Sequence, residues 1–226
     1  MKILNLYAGV GGNRKLWGDE HQITAVEYDP DIAAVYQALY PNDTVVVGDA
    51  HQYLLDNLND YDFIWSSPPC QTHSQIRYNL GYKADRKYRK VAPKYPDMKL
   101  YEEILLLNNW FEGKYVVENT VSYYRPLIPA RTIAKHFWWS NFPITSFDIS
   151  SRGHRGGTVP SLQELKGIDL TGFDLTNKRQ ILRNCVEPET GLHVLNCAIA
   201  STYQPTTLDL FEVKEENPNA ETLLAR

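Results

Sequence analysis

Cysteine is scarce in this sequence, with only Cys70, Cys185 and Cys197 among 226 residues. An odd number without regular spacing excludes a disulfide framework, and no Cys/His pairing has zinc-site spacing. A reducing cytoplasm is the expected setting, and no metal is expected. No run approaches the roughly 18 apolar residues that cross a bilayer, so a membrane is not an expected partner. The opening "MKILNLYAGVGG" is too short in its apolar part for a secretory signal and leads into glycines, so it reads as a first strand. Dinucleotide and triphosphate loops are also missing. The glycines at 9, 11 and 12 do not complete a G-x-G-x-x-G, because position 14 is Arg14, and no G-x-x-x-x-G-K-[ST] occurs. There is no internal repeat.

What is present is an ordinary globular composition, 43% hydrophobic and 22% charged. The net charge of -4 is unevenly placed. Residues 77–99 hold eight basic residues, Arg77, Lys83, Arg86, Lys87, Arg89, Lys90, Lys94 and Lys99, against Asp85 and Asp97. An acidic body with one basic, tyrosine-rich segment suggests a local anionic partner, and a solvated loop is the competing account.

Apolar runs and helical patterns alternate. Strands are expected at "KILNLYA", "QITAVEYD", "DTVVVGDA", "YDFIWSS", "KYVVENT" and, sixth, "KHFWWSNFPI". Helices are expected from "RKLW", from about Pro30 to Tyr40, at "HQYLLDNL" and at "LYEEILLLNNWF". This predicts an α/β fold with a doubly wound, mostly parallel sheet covered on both faces. Residues 145–182 show no clear periodicity, and the end, "FEVKEENPNAETLLAR", reads as a frayed acidic tail.

Three features fall at strand ends. The glycines follow the first strand, Glu27 ends the second and Asp49 follows the third. An acid after strand two can hold both hydroxyls of a ribose, and one after strand three can accept from an adenine amino group. Each acid could instead cap a helix. Together they point to a nucleoside cofactor without phosphates, for which S-adenosylmethionine fits. "SSPPCQTHS" then places Cys70 at a double-proline turn ending strand four, and Glu118 in "VVENT" ends strand five. A buried structural cysteine is the plain alternative for Cys70. Its position makes it a candidate nucleophile.

These residues resemble the DNA cytosine-5 methyltransferase family. "LYAGVGG" is similar to its cofactor glycine motif, "SSPPCQTHS" to its Pro-Cys-Gln motif, "VVENT" to its Glu-Asn-Val motif, and "RQILRNCVEPETGLHVLNCAI" to its last motif. The resemblance covers about 1–145 and 178–202, and looks like the small, phage-encoded members. It implies an S-adenosylmethionine-dependent methyltransferase fold, double-stranded DNA as partner and base flipping, in a bacterial or phage-infected cell, with restriction-modification as a setting. It implies a cofactor pocket of Tyr7, Ala8, Gly9, Gly11, Gly12, Glu27, Tyr28, Asp49, Ala50, Pro68, Asn184 and Val186. It implies Cys70 as nucleophile and Glu118 as the group that holds the pyrimidine edge. Arg131, Lys135 and His136, in "PARTIAKHFWW", are candidates for the cation that the family usually supplies from Gln-Arg-x-Arg.

Nucleic-acid contacts are expected from Gln71, Ser74, Arg77, Arg86, Lys87, Arg89 and Lys90, and from Arg152, His154 and Arg155 in "SRGHRGG". Arg183 stands where the family's last motif has glycine, and Thr120 where it has valine. The expected division is a catalytic and cofactor domain at 1–144, a short target-recognition insertion at 145–182, a segment completing the domain at 183–208, and a tail at 209–226. An RNA cytosine methyltransferase and a catalytically silent DNA-binding homologue are the other readings. An exocyclic-amino methyltransferase would carry Asp/Asn-Pro-Pro-aromatic, and "SPPC" lacks both ends.

Overall fold

The computed structural model describes residues 1–75, 95–147 and 157–202. Seven strands form one sheet: β1 Lys2–Leu6, β2 Gln22–Glu27, β3 Thr44–Val47, β4 Phe63–Ser66, β5 Lys114–Thr120, β6 Arg131–Ile133 and β7 His136–Ser140. Their spatial order is β3-β2-β1-β4-β5-β7-β6. The first five are mutually parallel, and β7 runs antiparallel to both neighbours. The sheet is thus the doubly wound, mostly parallel one that the alternation predicts.

Period-two alternation sorts the strand side chains onto two faces. Leu4, Leu6, Ile64 and Val117 pack against Ala50 and Leu54 of α2 (Ala50–Asn57) and against Leu100, Ile104 and Leu107 of α3 (Lys99–Trp110). Ile3, Phe63, Trp65 and Val116 point the other way, onto Trp17 and onto Val194, Leu195 and Ala198 of the C-terminal helix, Pro188–Ala200. Strands covered on both sides need apolar residues at nearly every position, which is why β1 and β4 read as continuous apolar runs.

Two elements differ from expectation. "RKLW" opens no α-helix: Asn13–Leu16 is a single 3-10 turn, and Gly18, at φ 78°, ends it. The run "KHFWWSNFPI" is the seventh strand, not the sixth, and stops at Ser140. A short β6 precedes it, because Ala134 (φ 50°) and Lys135 (φ 67°) reverse the chain within two residues. Non-glycine residues rarely take positive φ, so the sequence carried no turn signal there.

Residues 157–182 are more ordered than their composition suggests. Thr158 caps α4 (Val159–Lys166) by accepting from the Ser161 amide, and Gly167, at φ 58°, closes it. Leu162, Ile168, Leu170 and Leu182 pack on Val35 of α1 (Pro30–Leu39) and on Val10 of the glycine loop. Lys166 is buried. Its ammonium donates to the Cys185 carbonyl (2.6 Å) and to Glu187 (2.8 Å), tying this segment to the chain that leads into the last helix. Lys166→Met is expected to lower stability by about 2–3 kcal/mol in urea unfolding. That is at or below the roughly 3–5 kcal/mol for breaking a fully buried pair, because Glu187 keeps partial access to water.

Candidate active site

The carboxyl ends of β1 to β5 open into one cleft of about 1040 Å³, where ligands of open α/β sheets bind. Tyr7, Ala8, Gly9, Gly12, Glu27, Tyr28, Asp49, Ala50, Pro68, Asn184 and Val186 line it, as do Cys70, Gln71, Ser74, Glu118 and His136. Of the expected cofactor residues only Gly11 does not. A Cβ there would lie 2.4 Å from Tyr40 and 2.7 Å from Tyr36, so its glycine serves packing, and Tyr40 donates to its carbonyl. Gly12 is a close approach: a Cβ would meet the Cys185 sulfur at 2.2 Å and the Val186 carbonyl at 2.3 Å. The C-terminal segment therefore lies directly on the loop.

Glu27 is fixed by backbone. One carboxylate oxygen accepts from the Gly9 amide (2.9 Å) and the other from Asp29 (3.0 Å). It does not cap α1; Asp29 does. Asp49 does cap α2, accepting from His51 and Gln52 amides, and its second oxygen pairs with Lys99 at 3.2 Å. Partial burial raises its proton affinity, but Lys99 and the two amides outweigh this and hold the carboxyl below its usual range. So Asp49 both caps a helix and faces the cleft.

A second carboxylate fixes the floor. Glu103 of α3 is fully buried and accepts from the Tyr7 hydroxyl (2.5 Å) and the Ser66 hydroxyl (2.6 Å), with His51 Nδ1 at 3.1 Å. Burial first, then Glu103, pushes the Tyr7 phenol far above its ordinary value, so it acts as a donor. One side chain thus joins the ends of β1 and β4.

Beyond β4 the double proline turns the chain. Trp65 donates to the Ser67 hydroxyl (2.8 Å), Asn119 donates to the Pro68 carbonyl (2.9 Å), and the Cys70 carbonyl accepts from His73 and Ser74 amides. Cys70 is half-buried, and burial together with Glu118 pushes its thiol up. Glu118 is also pushed up, by burial, with His136 and the Ser67 hydroxyl opposing. In the β5–β7 register Glu118 faces Trp138, and His136 lies two pairs further along, opposite Thr120, so it returns to the same side of the sheet.

Of the three basic candidates, only His136 reaches the cleft with Cys70 and Glu118. Arg131 is exposed, on β6 across Trp138, and Lys135 is exposed in the hairpin turn. Arg77, Arg86, Lys87, Arg89, Lys90, Arg152, His154 and Arg155 lie outside the described residues. The cleft also contains residues not anticipated from sequence: Ser67, Asn13, Asn177, Gln180 and Arg183. Asn177, Gln180 and Asn184 recur at helical spacing on α5 (Lys178–Asn184) and its start. That polar stripe was the available signal.

The residues fit S-adenosylmethionine. Glu27 and Asp49 offer two carboxylate acceptors on one wall of the cleft, as a ribose and an adenine would require, and the space in front of Gly9 is open, with no atom within 4 Å of where a Cβ would project. Among the described residues no group of three His, Cys, Asp or Glu could hold a metal ion, and no helix is long and apolar enough to cross a membrane.

The sheet order, with its antiparallel penultimate strand, and the cleft at the strand ends define an S-adenosylmethionine-dependent methyltransferase fold. Within that class, residues 1–94 match the family model of the C-5 cytosine-specific DNA methylase, in agreement with the resemblance carried by the motifs. A curated relative, the type II methyltransferase M.Bsp6I of Bacillus sp. (strain RFL6), is 25% identical over 114 residues, which are 46% of this chain and 36% of that protein. Among solved structures, a DNMT2 variant from Spodoptera frugiperda is 24% identical, with a TM-score of 0.35 over 53% of this chain and 35% of that one. A putative DNA modification methyltransferase encoded within an E. coli prophage is 18% identical, with a TM-score of 0.35 over 55% of this chain and 33% of that one. The match thus spans about a third of the length of each of these relatives.

Proposed function

We propose that this protein is a DNA cytosine-5 methyltransferase that works through a covalent adduct at Cys70. The observation that carries the reading is that Cys70, Glu118 and His136 line the same cleft as Glu27 and Asp49. S-adenosylmethionine, when bound, supplies an electrophilic methyl group. Glu27 would hold its ribose hydroxyls, Asp49 its adenine amino group, and the loop from Tyr7 to Gly12 its remainder, closed by Asn184 to Val186. Carbon 5 of cytosine is a poor nucleophile, so the base must be activated. Cys70 sulfur would add to carbon 6, Glu118 would give a hydrogen bond or proton to ring nitrogen 3, and His136 would donate a hydrogen bond that polarises the carbonyl. After methylation carbon 5 loses its proton and the sulfur leaves, restoring the aromatic ring. The base must be drawn from the duplex, at a cost of a few kcal/mol. The segment 77–99, with the 145–182 insertion, is proposed to grip the backbone around it.

Incubation with labelled methyl donor and either DNA or RNA, followed by location of the modified base, tests this directly. Label at cytosine carbon 5 in DNA is expected. Label confined to RNA would move the substrate, and no label on either would favour the silent homologue.

Two further outcomes are expected. Glu27→Ala should weaken cofactor binding by about 1–3 kcal/mol in calorimetry, because it removes an acceptor and frees the Gly9 amide it holds. Reversal of Arg86, Lys87, Arg89 and Lys90 to glutamate should weaken duplex binding and flatten its salt dependence. Each phosphate that is no longer neutralised lowers the log–log slope by about 0.9, so an unaltered slope would make the segment a solvated face.

A further inference from the structure

Among the described residues the cleft is lined by four acids, Glu27, Asp49, Asp97 and Glu118, and by the basic side chains of Lys99 and Arg183. Lys99 is already paired with Asp49. Arg183 is half-buried, yet among the described residues its guanidinium has neither an ion pair nor a hydrogen bond. Its last-turn position on α5 gives at most a weak attraction to the helix carbonyl end. A partly desolvated guanidinium without a counter-ion is unfavourable, and its planar fork of donors is suited to a carboxylate or phosphate.

Its place in the fold says which anion. Arg183 directly precedes Asn184, Cys185 and Val186, and the last two of these pack on Gly12. It therefore lines the cleft just before the segment that packs on the loop after β1. Glu27 and Asp49 lie on one side of that loop, beyond β2 and β3, while Cys70 and Glu118 lie on the other, beyond β4 and β5. A nucleoside seated on Glu27 and Asp49 would extend its tail along this cleft towards the β1 loop, the part of the lining to which Arg183 and the segment after it belong. We propose that Arg183 is a specificity-determining residue that binds the carboxylate of the cofactor's amino-acid tail. The acids around it complement the sulfonium and ammonium of the same molecule, so the cleft matches a zwitterion rather than a simple cation. This rests on the cofactor reading above.

The other source of an anionic oxygen is a nucleic-acid phosphate, and the test separates the two. Calorimetry compares S-adenosylmethionine with its decarboxylated counterpart, which lacks only the carboxylate, on wild type, Arg183→Ala and Arg183→Lys. Wild type is expected to prefer the intact cofactor by about tenfold or more, the worth of a charged hydrogen-bonded pair. Arg183→Ala should lose that preference while binding the decarboxylated molecule unchanged, and Arg183→Lys should keep part of it, because the charge remains but the fork does not. Duplex binding should keep its salt slope. A preference retained by Arg183→Ala overturns the proposal. So does a salt slope reduced by about 0.9 with cofactor affinity intact, which would assign the guanidinium to a phosphate. If wild type binds neither molecule, the cofactor reading itself falls and the inference goes with it.

Discussion

Cys70→Ser is expected to abolish methyl transfer, a fall of roughly 10³-fold or more, equivalent to about 4 kcal/mol of lost transition-state stabilisation. Cofactor binding should survive, because the carboxylates and the glycine loop assigned to the ribose, adenine and tail lie beyond β1, β2 and β3, and the substitution leaves the Pro68 backbone in place. Serine keeps the turn: the Cys70 carbonyl, which accepts from His73 and Ser74, does not depend on the side chain. The thiol is pushed up by burial and by Glu118, so little thiolate is present at neutral pH in the free protein. The sign follows. Alkylation of Cys70 should accelerate with pH well past the midpoint of an ordinary thiol, and the adduct rate should rise in the same direction until another group intervenes. A 5-fluorocytosine substrate should trap wild type covalently, because the carbon 5 proton that must leave is absent. If Cys70→Ser forms the same adduct, or turns over at the wild-type rate, Cys70 is not the nucleophile.

Where the sequence was legible, it was because burial on two faces leaves a pattern. The five parallel strands, α1 to α3 and the acids at strand ends all follow from apolar runs bounded by turn residues. All the expected cofactor residues but Gly11 face one cleft. The failures have physical causes. The β6–β7 hairpin turns on Ala134 and Lys135, which carry no turn propensity. The segment 157–182 packs through four well-spaced leucines and isoleucines that show no regular period outside short α4 and α5. Gly11 was invisible as a packing glycine because a glycine needed for close approach to a cofactor and one needed for close packing on Tyr36 and Tyr40 look alike in one dimension. Arg131, Lys135 and His136 could not be separated by sequence, since which of them reaches Glu118 depends on strand register.

Glu118→Gln is the second large expected effect, and it should act in two opposite directions. The Glu118 carboxyl is raised by burial against His136 and Ser67, which oppose the shift, so it retains a proton more readily than an exposed glutamate. A group in that condition can donate to ring nitrogen 3 as the sulfur adds to carbon 6, and positioned acid catalysis of this kind contributes about 10²–10⁴-fold. Glutamine keeps the shape and a donor amide but has no proton to give up. Methyl transfer should therefore fall within that range, with cofactor affinity close to wild type. At the same time the substitution removes the charge that helps keep Cys70 protonated. The midpoint for Cys70 alkylation should move down, so the cysteine becomes more reactive towards a small electrophile as the enzyme becomes slower towards cytosine. A merely structural glutamate would not separate the two readouts: misfolding would expose the thiol and lose cofactor binding together. Were Glu118→Gln to keep wild-type turnover, or to slow it while leaving the alkylation midpoint where it was, the pairing of Glu118 with Cys70 in one mechanism would be wrong.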